Sequence, residues 1–479
     1  MKHFYFLLFF LHIMVLADCR NDTCHSHSVF IPRDITSNNL LQHNLTLFWW
    51  YRTIFKNHDT FITLQVSPFY QRSTNEDDIA RFFLPCNQPS VSVKEDGTGD
   101  IGSLWLNLIA DANQQFDGSF SLSPQRTLIG TFINIRINWN PILNIHLWSD
   151  IALAAMKSKH NIGLCEKSNT FGTACNVTNI CQALNQENWE FNTFCPETQT
   201  KHGVDNIEFK FGYDWYFLEE DSVDHLSPYF TFAVPTGKAG TAECIFEPIV
   251  GSTVNAVGFG FIADHNFYAD EIHELAILTD FKYLYGLPVH EKRSFDLCKN
   301  GDWSRYLQVV KCDEPSNSMP GINVFTQEAQ ITIQSRIDWW IALHYRHRSC
   351  DVEIGYNFWW QQKEKVQIYD FPKGYAIYDI VGDCMQQPTS ASCAQICQSV
   401  INNAPVSDPS CVKLSLCDLN IASGTMPRSL TNSVYAAFGY DGHFYGLPTL
   451  IGAGASYEVS TDNNALSNWC VWSKFGISY

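Results

Sequence analysis

Charged side chains in this chain recur at every second position between apolar ones, a spacing that can line a polar interior. Asp351 and Glu353 alternate with Val352, Ile354 and Tyr356, and Arg336, Asp338, His344 and Arg346 alternate with Ile337, Trp339, Ile341, Leu343 and Tyr345. Lys210 and Asp214 stand in a similar row with Phe209, Phe211, Tyr213 and Trp215 between and beside them. Arg136, Asp280, Lys282 and Lys474 hold equivalent places in other segments. These twelve residues are the candidate pore lining. Rows of both signs around a water-filled lumen order water and screen solutes. In a narrow filled lumen the same charges must instead satisfy one another. Trp340 and Trp359 share the inward phase, where they could stack a sugar or pack the wall.

Other chemistry is weakly represented. No nucleophile elbow, zincin, Walker A or dinucleotide pattern stands out. Asp264, His265 and Asp270 are close enough in sequence to form a small acid–base cluster, although turn solvation accounts for them equally. Cys19, Cys24, His25 and His27 have the residue types of a metal cluster, but at an N-terminus in an oxidising space a Cys19–Cys24 pair is the simpler expectation. The sequence calls for no cofactor, no metal and no enzymatic activity. Asn21, Asn44 and Asn176 open glycosylation sequons that matter only in a eukaryotic chain.

Period-two alternation asks for β-strands, since successive side chains leave a strand on opposite faces. The segments 204–218, 270–286 and 330–346 outrun the usual strand of a soluble sheet, and suit tilted strands that cross a bilayer. The strand from Asp351 follows 330–346 so closely that only His347 and Arg348 need form the turn; His344 would then oppose Asp351, and Asp338 would oppose Asn357. Further strands are expected at 61–71, 127–139, 143–154, 226–234, 251–263, 303–312, 430–441, 444–459 and 467–479. That makes 13, and a closed bacterial barrel prefers an even number. The expectation is an all-β antiparallel transmembrane β-barrel of about 14 strands, within 12 to 16, with 101–110 as the strand to add and long cysteine-containing loops.

The chain has 479 residues, 14% aromatic and only 17% charged, a mixture suited to a surface that meets lipid. Residues 1–17 read as a signal peptide, with Lys2 and His3 before an apolar run and Val15 and Ala17 ahead of the cut. Residues 18–60 form an N-terminal segment, periplasmic or plug-like, and 61–479 form the barrel with insertions at 155–203 and 364–429. The 17 cysteines fit an oxidising compartment. Cys165, Cys175, Cys181 and Cys195 would staple the first insertion, and Cys384, Cys393, Cys397, Cys411 and Cys417 the second. Counting strands back from a periplasmic C-terminus puts the turns near His347 and Asp441 in the periplasm and 364–429 outside. The same count puts 155–203 in the periplasm, unless one further strand lies between 235 and 325. A net charge of -18 argues against nucleic-acid partners.

The last strand places Phe475, Ile477 and the terminal Tyr479 on one face. It resembles the C-terminal signal of bacterial outer-membrane barrels, in which alternate apolar residues and a final aromatic are read by the barrel-assembly machinery; Tyr479 departs from the commoner Phe. The run Tyr445 to Glu458 with Asn463-Asn464-Ala465-Leu466, the stretch Phe246-Glu247-Pro248-Ile249-Val250-Gly251 and the preceding Pro235-Thr236-Gly237 look like porin-like barrels of intracellular bacteria. The resemblance covers scattered pieces of 120–479. It implies a bacterial outer membrane, with its lipid and the assembly machinery as partners, and a channel for passive diffusion of small hydrophilic solutes. A non-conducting barrel that displays disulfide-stapled loops for adhesion or host interaction is the alternative. Oligomeric state is not legible.

Overall fold

The computed structural model describes residues 26–43, 61–95, 98–108, 110, 114–139, 146–168, 177–195, 198–218, 223–270, 272–378 and 413–479. Twelve long strands form the wall: β1 (Phe61–Ser73), β2 (Asp117–Trp139), β3 (Leu147–Ser168), β4 (Gln199–Tyr213), β5 (Val223–Val234), β6 (Ala256–Ala269), β7 (His273–Gly286), β8 (Arg336–His347), β9 (Cys350–Gln361), β10 (Ser429–Phe444), β11 (Leu447–Ser460) and β12 (Asn468–Ser478). Each pairs antiparallel with the next, and β12 returns to β1, with Leu64 opposite Ile477 and Val66 opposite Phe475. The sheet is therefore closed, which removes the free edges that an open sheet would expose. Val91–Lys94, Ile101–Gly102 and Trp215–Leu218 are short additions to this sheet.

Two expected wall strands are absent from it. Residues 303–312 form a short helical turn and the strand Gln308–Lys311, which pairs outside the barrel with Glu314–Pro320 and Tyr375–Ile377. Of 101–110, only Ile101–Gly102 is extended, and it lies beside Val91–Lys94 rather than in the wall. The segment 330–346 also divides: Thr326–Thr332 belongs to a small outer sheet, and β8 starts at Arg336. The count is 12 rather than 14.

The connections sort by length. At one end lie 140–146, 214–222, 270–272, 348–349 and 445–446, the last with both residues at positive φ (Tyr445 51°, Gly446 80°), as a two-residue hairpin turn requires. At the other end lie 461–467 and all the long ones: 74–116, 169–198, 235–255, 287–335 and 362–428. The two cysteine-bearing insertions consequently leave the barrel on the same side, against the expectation that parity separates them, because 303–312 lies outside the wall and the strand parity between them reverses. The first excursion also begins later than 155, because β3 continues to Ser168.

The described parts of the long connections fold into a cap with its own apolar core. The helix α2 (Glu76–Phe83), preceded in the chain by the short helix α1 (Asn39–His43), turns Ile79, Ala80, Phe82 and Phe83 into it, three and four residues apart on one face. Phe116, Ile180, Phe194, Phe246, Phe295, Trp303, Phe325 and Leu419 join from the other excursions. Cys195 bonds to Cys244 and so links two excursions, rather than stapling the first within itself. Cys165, Cys181 and Cys417 are free, while Cys175, Cys384, Cys393, Cys397 and Cys411 lie outside the described residues.

The outer face of the barrel is the reverse of a soluble surface. Ile129, Phe211, Phe230, Phe259, Leu343, Ile354, Val434, Phe438, Ile451 and Phe475 all point outward and are exposed, forming an apolar belt across the strands. Trp139, Trp215, Tyr268, Tyr440, Phe444, Tyr445 and Tyr479 ring the short-turn end. An exposed apolar belt bordered by aromatics is the surface that hydrocarbon solvates well and water solvates poorly.

Candidate functional site: a filled lumen

Alternation along the wall sends every second side chain inward. A ring of 12 strands encloses more space than its own side chains fill, since about eight strands already leave an interior just wide enough for them. Residues 26–43 occupy that space. They run from the cap, where the Ser28 hydroxyl donates to the Ser294 carbonyl at 2.5 Å, down to a short helix α1 (Asn39–His43) whose five residues are all buried.

The segment is held by polar contacts to the wall, and its Ile35, Leu40 and Leu41 join an apolar cluster with inward wall side chains such as Phe132, Trp148 and Trp340. The Arg33 guanidinium donates to Asp338 at 2.7 Å, Asn357 at 3.0 Å and Glu458 at 3.0 Å, joining β8, β9 and β11, and lies over Trp359. The amides of Ile35 and Thr36 donate to the Asp205 carboxylate at 2.7 and 2.9 Å. Asp34 accepts from Asn206 at 3.1 Å and faces Arg336 at 3.6 Å. Lower down, Lys282 donates to the Ser37 carbonyl at 2.8 Å and to Glu208 at 3.1 Å, and the Asn39 amide donates to Asp338 at 3.1 Å. Lys210 donates to Gln42 at 3.0 Å and pairs with Asp280, which also contacts His43 and accepts from the Tyr229 hydroxyl at 2.6 Å.

The twelve candidate lining residues all face the interior, each at most 5% exposed. Arg336, Asp338, Lys210, Asp280 and Lys282 meet the N-terminal segment as above. Arg136 lies over Trp148 and pairs with Asp214 at 3.4 Å. Arg346 pairs with Asp351 and Asp441, and His344 lies 3.2 Å from Asp351. Glu353 accepts from Tyr435, and Lys474 is buried beside β11 and β1. The 348–349 turn sets a register two residues away from the expected one, with His344 opposite Glu353 and Arg346 opposite Asp351. The His344–Asp351 and Asn357–Asp338 contacts survive as diagonal neighbours. Trp340 and Trp359 are both buried, and Trp340 donates to Tyr435 at 2.9 Å.

Several partners carry no sequence signal. Arg33, Asp34, Asn39, Gln42 and His43 lie in a segment without periodicity, and Asp205, Glu208, His225 and Tyr229 are ordinary members of alternating rows.

Among the described residues, the closest approach to a catalytic set is Ser227, Asp214, His225 and Asp264. Ser227 donates to Asp214 at 2.6 Å, and the two His225 ring nitrogens lie 3.0 Å from Asp214 and 2.8 Å from Asp264. The hydroxyl meets a carboxylate rather than the imidazole, which is not the arrangement that activates a nucleophile. Asp264, His265 and Asp270 do not form a cluster, and turn solvation accounts for Asp270: Asp264 faces inward, His265 faces outward, and Asp270 caps the 270–272 turn by accepting from the His273 amide. No group of three or more metal-ligating side chains occurs among the described residues. Cys19, Cys24 and His25 lie outside them, and the His27 ring stacks on Phe82 at 4.4 Å.

Phe475, Ile477 and Tyr479 lie on the outward face of β12, the strand that closes the ring.

No protein-family model and no curated protein sequence matches the chain, so the likeness to barrels of intracellular bacteria rests on the quoted segments alone. Among solved structures, it is similar to an outer membrane channel from Pseudomonas putida F1 at 9% identity and a TM-score of 0.41, over 87% of this chain and 95% of that one. The beta domain of the Bordetella autotransporter BrkA aligns at 6% identity and 0.32, over 88% and 100%. A mutant of the monoaromatic hydrocarbon channel TodX aligns at 7% and 0.33, over 88% and 91%. Scores this low carry no argument about activity.

Proposed function

We propose that the protein is a bacterial outer-membrane barrel of the porin-like type whose hydrophilic lumen is closed at rest by its own residues 26–43. The observation that carries this reading is the way that segment is held. Its contacts with the wall include a network of ion pairs and hydrogen bonds, which water can replace once the segment moves, beside the apolar packing of Ile35, Leu40 and Leu41. A passage opened in this way would be walled by charges of both signs and would suit small hydrophilic solutes. The short-turn end would face the periplasm and the cap the exterior, with Phe475, Ile477 and Tyr479 offered to the assembly machinery. The reading needs no cofactor and no covalent chemistry. One observation favours the display scaffold as a second reading: the cap has a continuous apolar core of its own, more structure than a channel mouth requires.

Planar-bilayer recording on the refolded protein separates the two, with a heat-modifiability gel as the check of folding. Arg33→Glu turns the contacts to Asp338 and Glu458 repulsive. A silent wild type and a folded Arg33→Glu variant with discrete conductance steps support the plugged channel. Silence of both, when both are folded, assigns the barrel to display. Steady conductance by the wild type would overturn the filled lumen.

A further inference from the structure

Among the described residues, the interior network leaves one cation out. Arg126 projects inward from β2 near the cap, is 7% exposed, and its side chain has neither an ion pair nor a hydrogen bond among the described residues. A guanidinium carries five N–H donors and stays charged at any relevant pH, so burial without an acceptor is costly. Arg126 lines a cavity of about 20 Å3 between the N-terminal segment and the wall. Roughly 10–15 Å3 of such space holds a water molecule, so this one holds a single particle of water or halide size.

The remaining lining shows what kind of particle. Thr431 presents a hydroxyl, and Gln71 an amide oxygen, that have no partner among the described residues. Arg33 and Glu458 also border the space, but they are engaged with each other at 3.0 Å, and Glu458 further accepts from Ser433 and Asn468. The unmet demand is therefore mostly for an acceptor, from a buried cation and a hydroxyl donor, with the Gln71 amide oxygen as the one neutral acceptor beside them. We infer that the Arg126 cavity is a binding site for a small monovalent anion of halide size, held by the guanidinium and the Thr431 hydroxyl against the N-terminal segment. Because Arg33 and Asn38 of that segment help enclose it, an ion there ties the segment to β2 and β10. The site does not depend on whether the barrel conducts.

The test compares thermal unfolding of the detergent-refolded protein in chloride and in gluconate at equal ionic strength, with gluconate as an anion too large for the space. The midpoint should rise by several degrees and saturate with chloride, as ligand linkage requires, and Arg126→Met should flatten the response. A chloride response of equal size in Arg126→Met would overturn the assignment, as would a wild type indifferent to chloride. Should Arg126→Met fail to fold, crystals of the unsubstituted protein soaked in bromide decide the matter: an anomalous peak beside Arg126 supports the site, and a clean map there removes it.

Discussion

Arg33 touches three strands at once and brings a cation to two buried wall carboxylates, Asp338 and Glu458, whose other partners given above are neutral donors. The wall half of this arrangement is legible in sequence, because period two marks Asp338 and its neighbours as inward. The other half is not, because residues 26–43 follow no periodic pattern and their contacts span more than 300 positions, as between Arg33 and Asp338. Buried charge outside the lumen is equally hidden. In the cap, Asp296 is fully buried and pairs with Arg305 at 2.8 Å, yet burial still outweighs the pair and pushes its carboxyl up to about 6. A carboxyl raised above its unfolded value of about 3.9 binds its proton more tightly in the folded state. Its contribution to stability is thus fully present below about pH 3.9 and is lost as pH rises through about 6. The cap should accordingly resist urea better at pH 5 than at pH 7.5, by about 1–2 kcal/mol, read by near-ultraviolet circular dichroism. Asp296→Asn should flatten that dependence, and an unchanged slope in the variant would assign it to another group.

Strands obey the alternation closely enough that twelve of the expected segments overlap wall strands, while their ends escape it. The run 330–346 reads as one strand because Ile331 and Ile333 keep the apolar phase. In the structure these two pack into or beside the cap, and Ser335, the single break in the row, marks where the wall begins. A second device between strands is visible only in register. Trp148 lies directly opposite Gly212, Tyr229 opposite Gly260, Tyr435 opposite Gly355, and Trp472 opposite Gly454, so that an inward aromatic covers a glycine on the neighbouring strand. A Cβ at Gly260 would meet the Tyr229 ring at 2.4 Å and the Phe281 carbonyl oxygen at 2.3 Å, and the carbonyl belongs to backbone that cannot turn aside. Gly260→Ala should therefore cost about 1–3 kcal/mol in urea unfolding. It should also disturb Tyr229, whose hydroxyl holds Asp280. Wild-type stability in this variant would show that the aromatic–glycine fit adds nothing.

At the scale of the whole molecule, two apolar surfaces have opposite fates. The cap buries its own around Phe83, Trp303 and Phe325, whereas the wall leaves Phe259, Ile354 and Val434 more than half exposed. A chain evolved for water would not tolerate such a belt beside so many buried charges, because both arrangements raise its free energy there. In a bilayer the belt is satisfied by lipid, and the lumen charges are satisfied by one another and by residues 26–43. This contrast predicts where a new charge is tolerated. Val434, on the outward face of β10 and 59% exposed, should resist Arg strongly, at about 2–4 kcal/mol near the bilayer centre. Tyr369, on the cap and 67% exposed, should accept Arg within about 0.5 kcal/mol, as a surface position in water does. Unfolding of both variants from lipid vesicles measures the difference directly. Equal, small costs would mean that the belt meets water and that the barrel does not span a membrane.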